Sequence, residues 1–151
     1  MGDPTFLGGY GEMGWFFTGE TRGYKDGGWN RTKVLKPFNK GGWGALQLVG
    51  RVDFLDLNDD KLQAGATNNF ANGTSTLAAL NTRLGRGGTQ TGYLLGLNWY
   101  PIDYVRFMLD YIHTDVSGGP MAATLNPTST KPVDERGFST DAIALRAQVD
   151  F

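Results

Sequence analysis

Three arginines stand where they could act together. Arg51, Arg106 and Arg146 each occupy a polar position in a segment where apolar and polar residues alternate. A guanidinium stays charged at any working pH and presents a planar fork that fits phosphate or carboxylate. Asp53, Asp110 and Asp150 share the parity of those arginines, one on each of the same three segments, and Gln47 lies on the same side as Arg51. Two roles are therefore open for each arginine: pairing with an aspartate inside a wall, or direct contact with an anion. The other motifs do not build a reaction centre. Gly9-Tyr10-Gly11-Glu12-Met13-Gly14 spells G-x-G-x-x-G, but Trp15-Phe16-Phe17 follows with strand composition where a dinucleotide site needs a helix. Asp56-Leu57-Asn58-Asp59-Asp60 resembles the start of a calcium loop, yet Lys61 replaces the required glycine and Thr67 the closing glutamate. His113 has Asp110 and Asp115 nearby but no serine in a matching context, which suits a polar residue at an interface. No paired-carboxylate or phosphate-loop constellation stands out. The expectation is a protein that is not an enzyme, with no catalytic residues, no cofactor and no metal.

Composition narrows the classes further. The chain has 151 residues, the size of one domain. Lys+Arg 14 against Asp+Glu 15 leaves a net charge of −1, which argues against a nucleic-acid partner. There is no cysteine, which excludes disulfide scaffolds and thiol nucleophiles, and the single histidine cannot build a multi-histidine metal site. Glycine fills 23 positions, about twice the usual share. No apolar run of ~18 residues exists to make a transmembrane helix. A transmembrane β-strand needs only ~9–11 residues of alternating polarity, and a mean hydropathy of −0.32 fits such strands as well as it fits a soluble domain.

The elements that must position the arginines read as strands. In 142–151, Ile143, Leu145, Ala147, Val149 and Phe151 fall on one face and Ala142, Ala144, Arg146, Gln148 and Asp150 on the other. In 89–100, Tyr93, Leu95, Leu97 and Trp99 oppose Gly92, Gly96, Asn98 and Tyr100; in 104–115, Val105, Phe107, Leu109 and Tyr111 oppose Arg106, Met108, Asp110 and Ile112. In 43–57, Leu46, Leu48, Val52 and Phe54 oppose Trp43, Gln47, Arg51 and Asp53. Residues 9–20 and the short 32–38 complete six expected strands. The connections at 39–42 and 101–103 are tight, whereas 21–31, 58–88 and 116–137 are long and polar, with a helical turn or two expected within Ser75–Leu84. Strict up-and-down order then sends every short turn to one end and every long loop to the other, with Trp99, Tyr104 and Phe151 toward the first end and Phe54, Tyr93 and Tyr111 toward the second. Short turns on one side, long loops on the other and two aromatic girdles form the pattern of an outer-membrane barrel.

Several segments in order resemble one family. They are Trp15-Phe16-Phe17-Thr18-Gly19-Glu20-Thr21-Arg22, Lys36-Pro37-Phe38, 42–51, Asp56-Leu57-Asn58-Asp59, Gly96-Leu97-Asn98-Trp99-Tyr100-Pro101 and 145–151. Together they resemble the phosphate-selective porin O/P family of Gram-negative outer membranes. The resemblance implies an all-β fold, an antiparallel transmembrane β-barrel in which this chain supplies about six C-terminal strands of a sixteen-stranded trimeric porin, with short periplasmic turns and long extracellular loops. Residues 1–151 would form a single domain, the C-terminal segment of that barrel. It also implies that Phe151, with Val149 and Leu145, is an assembly signal. Six strands cannot enclose a water-filled lumen, and Met1-Gly2-Asp3-Pro4 does not open a signal peptide, so the chain is expected to be part of a longer protein or completed by others.

The expected function is passive diffusion of small hydrophilic solutes through the outer membrane of a Gram-negative bacterium, with anions such as phosphate among them. Arg51, Arg106, Arg146 and Gln47 would line the pore and Asp53, Asp110 and Asp150 would be its carboxylates. Expected partners are outer-membrane lipid and lipopolysaccharide, small anions, and either two further copies in a homotrimer or other chains that complete the barrel. A non-conducting barrel that anchors an envelope assembly is the alternative. A soluble β-domain is a third, and it requires Leu95, Leu97, Ile143, Leu145 and Val149 to be buried in one core.

Overall fold

The computed structural model describes residues 3–62, 87–119, 122, 125–126, 128–131 and 135–150. Thr67, Ser75–Leu84 and Phe151, all invoked above, lie outside the described residues. Seven strands occur among them: β1 (Leu7–Phe16), β2 (Tyr24–Lys25), β3 (Gly28–Trp29), β4 (Ala45–Asp56), β5 (Thr89–Ile102), β6 (Val105–Ser117) and β7 (Gly137–Val149). Five of them form one sheet in the order β1-β4-β5-β6-β7, and β2 and β3 form a separate antiparallel hairpin. The protein is all-β with antiparallel sheets; a 3₁₀ turn, Phe38–Lys40, punctuates the connection before β4.

The period-2 pattern holds, with an inversion of the usual burial. On β5, Asn98 is 9% exposed and Tyr100 5%, while Leu95 and Leu97 on the opposite face are exposed. On β7, Ile143 is 76% exposed and Leu145 81%. Phe107, Leu109 and Tyr111 of β6 are exposed as well, and among the described residues no large side chain falls below 2% exposure. A water-soluble β-domain does the opposite, placing its apolar face in the core. The core that the soluble reading requires is not formed.

Contacts group the chain into two compact units. The first comprises Met1–Gly11, Val52–Gly92 and His113–Thr140. In it Gly8 of β1 lies against Leu55 of β4. The Leu57 N–H donates to Gly88 O at 2.9 Å and the Gly87 N–H to Leu57 O at 3.1 Å, which joins the two ends of the 58–88 connection. The Thr5 N–H donates to Asp59 at 2.8 Å.

The second unit comprises Glu12–Arg51, Tyr93–Ile112 and Asp141–Phe151. Here the structure departs from the expected six strands while keeping sequential neighbours in the sheet. The Phe17 N–H donates to Leu46 O at 2.9 Å, and Gly14 lies against Gln47, so β1 runs antiparallel to β4 as its direct neighbour. Residues 32–38 are not a strand between them. The reason is where their backbone donors go. The Val34 N–H is taken by the Asp103 carboxylate at 2.8 Å and the Leu35 N–H by Glu20 at 3.2 Å, while Pro37 has no N–H to offer. The main sheet therefore has five strands rather than six, and the whole 17–44 connection belongs to the end of the 103–104 turn. The expectation that 21–31 is a long loop at the opposite end is overturned. That stretch is a hairpin instead, with Asp26 (φ 52°) and Gly27 (φ 80°) making the type I′ corner that Asp-Gly favours.

A small core forms under this connection from Phe16, Val34, Ala45 and Tyr100, with the Phe16 and Tyr100 rings 5.8 Å apart. Gly44 (φ 81°) makes the entry to β4 possible: a Cβ there would lie 2.4 Å from Tyr100 O. Trp43 precedes that corner and is not part of β4, so the parity that put it beside Gln47 does not extend to it; its carbonyl instead accepts the Trp99 indole N–H at 2.8 Å.

Candidate functional site

The covered, polar face of the second unit carries a continuous chain of side-chain hydrogen bonds. Gln47 Oε1 on β4 accepts from Asn98 Nδ2 at 3.1 Å and from the Tyr100 hydroxyl at 3.0 Å, both on β5. Arg106 of β6 donates to the Tyr100 hydroxyl at 3.4 Å and to Gln148 Oε1 of β7 at 2.7 Å. Gln148 Nε2 in turn donates to Asp150 at 2.8 Å. Alternation explains the assembly: these residues point to one side of four adjacent strands, so their reach across the ladder matches the strand spacing. Half-buried polar groups then satisfy one another instead of losing their hydrogen bonds to water.

The connection before β4 lies over this network. Arg22, Arg31 and Thr32 from the connection meet Tyr100, Asp103 and Arg106 around a cavity of about 50 Å³. Arg31 stacks its guanidinium 4.4 Å from the Tyr104 ring centre. Thr32 is buried, and its Oγ1 has no hydrogen-bond partner among the described residues. The cavity has room for a few waters, and its walls hold guanidinium, carboxylate and hydroxyl groups but no nucleophile–base pair. Among the described residues no group of three His, Asp or Glu side chains is placed to hold a metal ion.

The sequence-selected residues fall as follows. Gln47, Arg106 and Asp150 are joined in the network. Arg51 lies 3.9 Å from Glu12 of β1, a carboxylate on a neighbouring strand that the pairing with Asp53 did not anticipate. Asp53 packs over Gly92, where a Cβ would sit 2.2 Å from its carboxylate, and Asp110 packs over Gly96 in the same way at 2.5 Å. Those two glycines give β5 the space that the aspartates of β4 and β6 fill. Arg146 is exposed on β7, and no hydrogen bond or ion pair of its side chain occurs among the described residues. Leu145 and Val149 are exposed on the opposite face of that strand. Asn98, Tyr100, Gln148, Thr32 and Asp103 were not singled out by sequence. Their parity marks Asn98, Tyr100 and Gln148 as members of the polar face, whereas nothing local to Thr32 or Asp103 signals their meeting across 71 positions of chain.

The sheet thus has a polar face tied together by hydrogen bonds and an apolar face left open. The model of one protein family, phosphate-selective porin O and P, matches residues 1–151. The chain belongs to the phosphate-selective porin O and P family. Within reach of that porin family the chain is also similar to an uncharacterized protein of Caulobacter vibrioides, 42% identical over 148 residues. The match covers 98% of this chain and 24% of that protein, so the chain spans about a quarter of its relative's length. No solved structure matches the chain. Gln47, Arg106 and Asp150 share one side of the sheet, and the exposed Leu95, Leu97, Ile143 and Leu145 the other.

Proposed function

We propose that this sheet is part of the wall of an outer-membrane β-barrel porin, and that its polar face lines a water-filled passage for small hydrophilic solutes. The observation that carries the reading is the inverted burial of β5 and β6, together with the exposed apolar side chains of β7. An apolar face this exposed is stable when lipid covers it, and a hydrogen-bonded polar face is stable against water. The free edges of β1 and β7 need further strands, because open edges within hydrocarbon leave backbone groups unsatisfied. A sixteen-stranded, trimeric assembly supplies them, and the long relative is consistent with a larger whole. Arg51, Arg106 and Arg146 bias the passage toward anions to the extent that acidic neighbours leave them uncompensated. The outer membrane of a Gram-negative cell is the location this reading requires.

Reconstitution of the complete protein in a planar bilayer tests the proposal. Stepwise conductance with a reversal potential displaced toward anions in a salt gradient is the expected outcome. A folded barrel that remains electrically silent contradicts it and favours an anchoring role, for which the connection lying across the polar face would then be the structural reason.

A further inference from the structure

The connection before β4 carries a second feature, separate from the polar network. From Gly27 to Val52 the sequence holds Arg31, Lys33, Lys36, Lys40 and Arg51 and no Asp or Glu, in a chain whose net charge is −1. Four of those cations fall within ten residues. Part of this stretch closes into a loop of its own. Lys36 O accepts the Gly44 N–H at 2.9 Å, and Pro37 O accepts the N–H groups of Lys40 at 3.0 Å and Gly42 at 3.1 Å. The loop ends are held by Gly44 against Tyr100. What it presents outward is unusual for a surface loop: Phe38 is 59% exposed and Trp43 86%, beside exposed Lys36 and Lys40.

The aromatic residues continue the apolar face of the sheet. The Phe38 ring meets Trp99 edge-on with centroids 6.3 Å apart, and Trp99 stacks on Phe107 at 5.6 Å. The Trp99 indole is fixed by the Trp43 carbonyl at 2.8 Å. Rings at the margin of a lipid-facing surface sit at headgroup depth, and lysines beside them reach the phosphate level on their flexible stems. Among the described residues, Lys33, Lys36 and Lys40 have no acidic partner, so their charge remains for an outside group.

We propose that the 36–44 loop is a docking surface for the anionic phospholipid headgroups of the leaflet next to the 103–104 turn. Phe38 and Trp43 enter the interface and Lys36 and Lys40 bind the headgroup phosphates. The proposal rests on the membrane reading above. Its favoured occupant follows from charge: the stretch is wholly cationic, and basic residues beside a membrane respond to its anionic lipids.

The test uses the complete protein folded into vesicles with a fluorophore on a single introduced cysteine, Asn39→Cys, since this chain has none of its own. A second preparation carries the fluorophore at Leu95→Cys on the apolar face. Nitroxide-labelled phosphatidylglycerol and phosphatidylcholine serve as quenchers. The Asn39 probe is expected to be quenched, and more strongly by phosphatidylglycerol. Lys36→Gln and Lys40→Gln should each lower that preference about fivefold, the factor matching ~1 kcal/mol per basic residue at an anionic surface. An unquenched Asn39 probe beside a quenched Leu95 probe overturns the loop proposal and leaves the porin intact, as does equal quenching by the two lipids. If neither probe is quenched, the membrane reading falls and the loop proposal with it.

Discussion

Between Tyr93 and Tyr100 the two faces of β5 follow opposite rules. One face carries Tyr93, Leu95, Leu97 and Trp99, all apolar or aromatic and all exposed. The other carries Gly96, Asn98 and Tyr100, small or polar and all buried, Asn98 and Tyr100 hydrogen-bonded to Gln47 and Gly96 beneath Asp110. In a soluble sheet, burial follows apolarity. Here it follows the opposite face, because the side chains that cross the ladder are polar and the connection before β4 packs on that side. Hydrogen bonding holds the polar face together while the apolar face stays exposed. The order of the strand would be the same either way; only the surroundings decide which face is outside.

The contrast can be broken most strongly by charge on the wrong side. Leu145→Arg should destabilise the folded complete protein in vesicles by ~2–4 kcal/mol if that position lies near the bilayer midplane, measured by denaturant unfolding. Ala144→Arg, one residue away on the other face, should stay within ~0.5 kcal/mol, as solvated substitutions do. Equal losses at 144 and 145 would remove the distinction between the faces. Gly96 is not a suitable neutral control, because any Cβ there meets the Asp110 carboxylate.

A smaller effect is expected where the connection is fastened to the polar side. Asp103→Ala leaves the part-buried Val34 N–H without its acceptor, at a cost of ~1–3 kcal/mol. Amide exchange at Val34 should then accelerate while exchange in β5 and β6 stays slow. Unchanged protection at Val34 would mean the connection is held elsewhere.

The smallest change in stability belongs to Arg51→Ala. Its 3.9 Å contact with Glu12 joins two well-exposed groups, and such pairs are worth ~0–1 kcal/mol. Selectivity is the more sensitive readout. The reversal potential of the complete protein should move toward cations at low salt and return as the Debye length shortens from ~10 Å at 0.1 M to ~3 Å at 1 M. A reversal potential that does not move at low salt would assign Arg51 to the wall rather than to the solute.

The strands and their faces were legible in the sequence because a period of two is a local property. Leu95, Leu97, Arg106 and Gln47 could be assigned to sides from their neighbours alone. The place of 32–38 was not. Thr-Lys-Val-Leu alternates like a strand, and Thr32 and Val34 do share a buried side, but their backbone is claimed by Asp103 and Glu20 rather than by a ladder. That competition spans 69 residues between Val34 and Asp103 and leaves no local trace. The hairpin at 24–29 was marked by Asp26-Gly27, a turn signal hidden within glycine-rich sequence. Among the site residues, parity located Arg51 and Arg106 but not their partners. Glu12 became a neighbour of Arg51 only with β1 directly against β4, whereas the strand of Gln148 was already expected beside that of Arg106.

The most direct measurement is a nitroxide scan of residues 93–100, one introduced cysteine at a time, in the complete protein folded into vesicles. Collision rates with oxygen, which concentrates in lipid, are compared with those of a water-soluble nickel chelate. Positions 93, 95, 97 and 99 should favour oxygen, and 94, 96 and 98 should not, giving an alternation with a period of two. A profile favouring the chelate at every position, or oxygen on the even positions, would contradict the assignment of the apolar face to lipid and of the polar face to a lumen.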